Sequence, residues 1–228
     1  MINAIIPARG GSKGVPQKNI ALIGNTPLLV YSIKAAQQSG MTRITVSTDD
    51  KKIAKVAKKY KGVDILDRPE EYATDTSSDY GYLKHYFENV DCEEVALLRP
   101  TTPFRNPIFM LNVLDLYSEY KDEMTGLRSA HEMSQPAHKQ LKIKDGYFQQ
   151  LFDEFDGVKN YSNLPRQNFP CTYSPNGHID IVKRSTIEQG EVFGDKIFAC
   201  ISEKTIDIDD EFDLHVASLL ADGKYDYL

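Results

Sequence analysis

The chain has 228 residues, 41% hydrophobic and 26% charged, ordinary for a soluble globular protein and enough for one large α/β domain. A formal charge of −6 argues against general affinity for nucleic acid or anionic membrane, so any phosphate ligand must be held by a local cluster of donors. The N-terminus has no basic leader, no apolar run nears the roughly 20 residues of a membrane span, and Cys92, Cys171 and Cys200 are scattered without CxxC spacing. The expectation is a cytoplasmic chain with reduced thiols.

In chain order, residues 3–7 read as a buried strand and 26–39 as a helix closed by Gly40. Residues 43–47 form a second strand. Over 51–60, Ile53, Val56, Ala57 and Tyr60 share one helical face at spacing i, i+3, i+4, i+7. A strand is predicted over 63–66, a helix over 80–88, a strand over 94–98, and a helix over 107–120 with Pro107 at its first position. Strands alternating with helices imply βαβ units and a mostly parallel sheet covered on both faces, with ligands at the carboxyl ends of the strands. From 133 to 173 the chain is polar, aromatic-rich and aperiodic, apart from a hairpin turn at Lys144-Asp145-Gly146-Tyr147. Strand character returns over 177–183 and 196–201. A last helix over 210–221 points Phe212, Val216, Leu219 and Leu220 inward, with Gly223 past its end. This pattern predicts a single domain, 1–228, interrupted by an arm over 133–173.

Two stretches carry chemistry. IIPARGGSKGVPQKN (Ile5 to Asn19) follows the first strand and matches neither GxxxxGK[ST] nor GxGxxG, since Ser12 stands where the second glycine would be. Gly10, Gly11 and Gly14 permit positive φ, so consecutive N–H groups can converge on an anion. Ser12, Arg9, Lys13 and Lys18 add side-chain donors. The plainer reading is a solvated turn. In KTIDIDDEFD (Lys204 to Asp213), Asp207 and Asp209 share one face of an extended segment, about 6–7 Å apart, with Ile206 and Ile208 packed behind. Such a pair suits Mg²⁺ beside substrate phosphates. Alternatively the stretch is an acidic helix start, the reading preferred for Asp210 and Glu211. His85, His131, His138, His178 and His215 show no paired ligand spacing, which disfavours zinc.

These two stretches, with RPTTPFR (Arg99 to Arg105) and NLPRQNFP…NGHIDI (Asn163 to Ile181), occur in an order that resembles the CMP-sialic acid synthetases, the acylneuraminate cytidylyltransferases. The resemblance spans nearly the whole chain. It implies a three-layer α/β/α fold with a mixed, mostly parallel sheet, like the nucleotide-diphospho-sugar transferases, and an inserted dimerisation arm. The reaction it implies joins CTP to a nonulosonic acid, giving the CMP-sugar and pyrophosphate with Mg²⁺, in a homodimer. By that resemblance Ala8, Arg9, Gly11, Ser12, Lys13 and Asn19 hold the nucleotide, with Arg9, Lys18 and Asp209 catalytic and Asp207 and Asp209 binding metal. Arg68, Ser77 and Asp79 match the cytidine contacts, although Arg68 and Asp79 equally make a surface ion pair. Arg99, Thr101, Thr102, Lys139, Arg166, Gln167 and Asn176 match the sugar side, Arg166 through a bidentate contact to the sugar carboxylate.

The chain departs from the family at two places. Sialic acid enzymes commonly carry glutamine where Arg99 stands, and NGAIY where this chain reads Asn176-Gly177-His178-Ile179-Asp180. Arginine there points to an analogue such as legionaminic acid, or else to a structural arginine bonding strand-end carbonyls. A substrate contact from His178 is a further reading. The alternatives to the main reading are a 3-deoxy-manno-octulosonate cytidylyltransferase and a non-catalytic nucleotide-binding protein of the same fold.

Overall fold

The computed structural model describes residues 2–221. β1 (Asn3–Pro7) opens the chain with Ala4, Ile5 and Ile6 fully buried, the signature of a strand covered on both faces. A ribbon of β2 (Leu22–Ile23) and β3 (Thr26–Pro27) leads into α1 (Leu28–Gln38), which ends before Gly40 at φ +67°. β4 (Ile44–Thr48), α2 (Lys51–Ala57), β5 (Val63–Asp67), α3 (Asp79–Asn89), β6 (Glu94–Leu97) and α4 (Pro107–Tyr120) complete the alternating part. Asn106 caps α4, its side chain accepting from the N–H groups of Ile108 (2.9 Å) and Phe109 (3.2 Å), with Pro107 at the start as expected. Then come β7 (Gly126–Glu132), β8 (Leu141–Lys144), β9 (Tyr147–Gln150), β10 (Tyr173–Lys183), α5 (Arg184–Glu188), β11 (Ile197–Ile201) and α6 (Glu211–Ala221).

The main sheet has the order β11-β7-β10-β6-β1-β4-β5, with β10 antiparallel to both neighbours and the other pairings parallel. On one face Leu29 and Ile33 of α1 and Met110, Val113 and Tyr117 of α4 pack over Ala4, Ile6 and Val46. On the other, Tyr82, Leu83, Tyr86 and Phe87 of α3 and Ile187 of α5 cover Ile5, Val95, Leu97 and Val182. This is the expected three-layer α/β/α arrangement. A third cluster joins Ile23, Leu28, Ile208 and Ala217. Among the described residues no helix is long and apolar enough to cross a membrane.

The hairpin turn falls where the sequence places it, with Asp145 at φ 52° and Gly146 at φ 85°, the geometry that Asp-Gly favours between twisted strands. Other elements differ from expectation. β2, β3, β7 and α5 are additional, and Thr26 and Pro27, expected in the first helix, belong to β3. β10 starts at Tyr173, before the expected 177, because its pairing with β7 shifts register between Pro175 and Asp180, breaking the alternation that marks a strand. The inward stripe of α6 is Leu214, Ala217 and Ala221, while Phe212 is 73% exposed and not inward. Ala217 packs on Ile208, and of the residues expected inward Val216, Leu219 and Leu220 are partly buried. Gly223 lies outside the described residues.

Candidate active site

The carboxyl ends of β1, β4, β5 and β6 lie side by side, and from them rise Arg9, Asp49, Arg68 and Arg99. The three arginines border a cleft of ≈ 210 Å³ whose walls also include Gly11, Ser12, Lys18, Asn19, Ser77, Asp79 and Thr101. A larger depression, ≈ 990 Å³, lies between α1, the start of α4 and residues 201–206. It shares no lining residue with the cleft; of the loop's cationic groups Arg9 and Lys18 line the cleft, while Lys13 is exposed beside Asp75.

The glycines of the loop serve a different purpose from the one expected. Gly10, Gly11 and Gly14 are not at positive φ; the left-handed residue is Gln17, at φ 53°. Gly10 donates its N–H to Asp49 Oδ1 at 2.8 Å, and a Cβ there would meet the Asp50 side chain at 2.8 Å. A Cβ on Gly14 would fall into the carbonyl oxygen of Asp209. These are glycines of close approach, and the approach at Gly14 seats the first loop against the last functional segment. Asn19 stiffens the loop by donating to the Arg9 carbonyl at 2.9 Å. Ala8 is fully buried and bonded to the Ser47 carbonyl at 2.9 Å.

Residues 205–209 run extended without joining the sheet. Ile208 is fully buried and its N–H bonds the Thr101 carbonyl at 2.9 Å; Ile206 is partly buried beside it. Burying a side chain of this size stabilises by about 1.5–3 kcal/mol, which anchors the segment. Asp207 and Asp209 are left exposed on the other side, as the alternation predicted. Lys18 donates to the Ile208 carbonyl at 2.7 Å and stands 3.8 Å from Asp209 Oδ1. Partial desolvation, then the negative charge of Asp207, holds the Asp209 carboxyl above its ordinary range. Asp210 and Asp213 cap α6 reciprocally: Asp213 N–H donates to Asp210 Oδ1 (3.0 Å) and Asp210 N–H to Asp213 Oδ2 (3.3 Å). The pair at 207 and 209 is thus free of the capping role. It offers hard oxygen donors only, exposed and beside the cationic loop, a donor set that suits Mg²⁺.

Arg9 and Lys13 both pair with Asp75, at 2.7 and 2.9 Å, and together, Lys13 first, they hold its carboxyl below the usual range. Asp75 stands two positions before Ser77 and is not among the site residues expected from the sequence. Ser77 donates to the Glu71 carbonyl at 2.9 Å and accepts from Thr74 N–H at 3.1 Å, folding that stretch over the cleft. Arg68 donates to Ser47 Oγ (3.1 Å) and the Ser47 carbonyl (2.9 Å) and lies 4.6 Å over the Tyr82 ring. Among the described residues it makes no ion pair with Asp79. Asp79 instead pairs with Arg99 at 2.5 Å, and Arg99 pairs also with Asp180 at 2.5 Å.

Thr102 and Asn176 are buried and engaged with protein groups: Thr102 Oγ1 donates to the Asn176 carbonyl (3.0 Å), and Asn176 Nδ2 to Ser202 Oγ (2.6 Å). Lys139, Arg166 and Gln167 lie on the arm. Lys139 donates to the Leu164 carbonyl (2.6 Å) and Arg166 to the Ser134 carbonyl (3.3 Å), and none of the three lines the cleft. The structural arginine anticipated at 99 is Arg105. It is buried and donates to the carbonyls of Arg99 (2.7 Å), Thr102, Gly177 (3.1 Å) and His178 (2.6 Å) and to Ser32 Oγ (3.0 Å). His178 accepts the Asn106 N–H at 3.0 Å, and burial, then the charge of Arg105, pushes its pKa down to about 4, so it is a neutral structural imidazole.

A largely parallel sheet with a cationic glycine loop after its first strand, and an exposed carboxylate, Asp209, brought beside that loop, is an arrangement of the nucleotidyltransferase class. A family profile described as Cytidylyltransferase matches residues 3–162, and the chain belongs to that family. It is 36% identical to an N-acylneuraminate cytidylyltransferase of Escherichia coli O18:K1:H7, over 98% of this chain and 52% of that protein. It is 41% identical to a CMP-N,N'-diacetyllegionaminic acid synthase of Legionella pneumophila, over 51% of this chain and 53% of that protein. The chain spans about half the length of these curated relatives. A solved CMP:2-keto-3-deoxy-manno-octonic acid synthetase complexed with CTP has the same fold, with TM-score 0.71 over 98% of this chain and 99% of that one at 17% identity. The expected kinship with the CMP-sialic acid synthetases holds.

Proposed function

We propose that the chain transfers the cytidylyl group of CTP to the anomeric hydroxyl of a nonulosonic acid, releasing pyrophosphate. The observation that carries this is Gly14 seated on Asp209, which makes one site of the cationic loop and the carboxylate pair. Arg9, Ser12, Lys13 and Lys18 bind the triphosphate, while Arg68, Ser77 and Asp79 face the nucleoside. The sugar hydroxyl attacks the α-phosphorus in line, the bond to pyrophosphate breaks, and positioning and charge neutralisation supply most of the rate. Asp207 and Asp209 would hold Mg²⁺, which when bound neutralises charge on the phosphates. Lys18, bonded to the Ile208 carbonyl, keeps its ammonium between the loop and Asp209.

The arm supports a homodimer. Ile143, Tyr147 and Phe148 are 70–77% exposed on its hairpin, an apolar patch that a monomer does not favour. Lys139, Arg166 and Gln167 then serve the neighbouring subunit's sugar site, which accounts for their distance from the cleft of their own chain. The sugar is a legionaminic acid-like nonulosonate, a reading supported by the 41% identity to the legionaminic acid synthase over 51% of this chain. Pyrophosphate release from CTP against a panel of nonulosonic acids should give the highest kcat/KM with the legionaminic type. Equal or better turnover of N-acetylneuraminic acid would refute the sugar, and no release with any acid would refute the activity.

Asp75 occupies two of the triphosphate's donors, so CTP must displace it from Arg9 and Lys13. Asp75→Asn should lower KM for CTP about two- to five-fold, the scale of exposed ion pairs, with little change in KM for the sugar acid. An unchanged or higher KM for CTP in steady-state assays would show that the carboxylate does not compete.

A further inference from the structure

Arg99 leaves the end of β6 with its side chain 23% exposed and ties three elements together. Its Nη1 donates to Asp180 Oδ2 on β10 and its Nη2 to Asp79 Oδ2 at the start of α3, both at 2.5 Å. Asp180 has no exposed surface; its other oxygen accepts the Ser129 N–H at 3.2 Å, and Arg128 Nε stands 3.9 Å away. Asp180 is therefore fixed and cannot turn to meet a ligand. Asp79 is 38% exposed at the cleft wall, and Arg99 holds its carboxyl below the ordinary range even though burial works against its charge. Arg99 and Asp180, which lie in the two stretches where the sequence departs from the family it resembles, are bonded to each other, so the buried carboxylate has a partner of opposite charge.

We propose that Asp180, Arg99 and Asp79 form a positioning relay for the nucleotide: the buried Asp180 fixes the Arg99 guanidinium, which presents the Asp79 carboxylate to a hydroxyl or amino donor of the nucleoside. Arg99 on this account is a positioning residue acting on CTP and not a direct sugar contact. The proposal rests on the CTP-dependent function above. A planar fork is needed to hold two carboxylates at once, which a lysine ammonium does not reproduce.

The test is calorimetric CTP binding, with no sugar acid present, together with thermal melting, on the full chain. Asp180→Asn and Arg99→Lys should each weaken CTP binding about ten-fold. Arg99→Gln should melt lower than the double variant Arg99→Gln/Asp180→Asn, since only the single variant strands the buried carboxylate. In steady state, Arg99→Lys should raise KM for CTP and leave KM for the sugar acid unchanged. Wild-type CTP affinity in both single variants, additive melting effects, or a rise confined to the KM of the sugar acid would each overturn the relay. Failure of the wild-type chain to bind CTP would instead overturn the function on which it rests.

Discussion

Asp209→Asn should lower kcat about a thousand-fold or more, while the chain stays folded. A hard carboxylate ligand is removed from a pair with few other donors, and the charge neutralisation at stake is several kcal/mol, each 1.36 kcal/mol being ten-fold in rate. The fold should not suffer, because the Asp209 side chain is 82% exposed. Desolvation and Asp207 hold its carboxyl above the ordinary range, so in the folded chain its ionisation is a net cost. The sign follows directly: the wild type loses this increment of stability as pH rises through the ordinary carboxylate range to the raised value, and asparagine does not. At neutral pH the variant should therefore melt at or slightly above the wild type. Wild-type turnover, or a curve of activity against Mg²⁺ that matches the wild type, would refute the assignment.

Arg105→Met should lower the melting temperature by about 6–20 °C. Methionine fills much of the space but leaves the carbonyls of Arg99, Thr102, Gly177 and His178 without their donor. Breaking such a buried charged network costs about 3–5 kcal/mol, and each kcal/mol is about 2–4 °C for a chain of this length. A second readout is pH. His178 is held neutral down to about 4, against an ordinary value of 6.5, by burial and then by Arg105. Between those values the unfolded chain takes up a proton that the folded chain refuses, so stability falls as pH falls from 6.5 towards 4. That slope should be shallower in the variant. A melting point within 2 °C of the wild type would mean that water or backbone movement replaces the arginine.

The regular parts of this molecule were legible because each obeys a local rule. Ile53, Val56, Ala57 and Tyr60 recur at helical spacing, and Ile206 and Ile208 alternate with Asp207 and Asp209. Asp145-Gly146 adopts the one turn its backbone favours. What stayed hidden depends on distant partners. Gly14 looks like a residue chosen for its freedom of φ, and only the carbonyl of Asp209 reveals that it is chosen for its size. Arg99 and Arg105 are six positions apart with the same side chain, and nothing local distinguishes the one that bonds carbonyls from the one that bonds carboxylates. The irregularity of β10 between Pro175 and Asp180 hides both the start of that strand and the role of Asp180. Phe212 misled because an apolar residue at the right helical phase need not be the one that packs.

The bond from Lys18 to the Ile208 carbonyl spans 190 positions of chain. During synthesis Ile208 is therefore added 190 residues after Lys18. At about 5–20 residues per second Lys18 waits roughly ten to forty seconds for that partner, whereas Arg9 and Lys13 meet Asp75 sooner. A product released short of Asp209 would lack the carboxylate pair whatever else it folded. The two halves of the proposed site are in this sense joined by one closing contact, which cannot form before the later segment has been made.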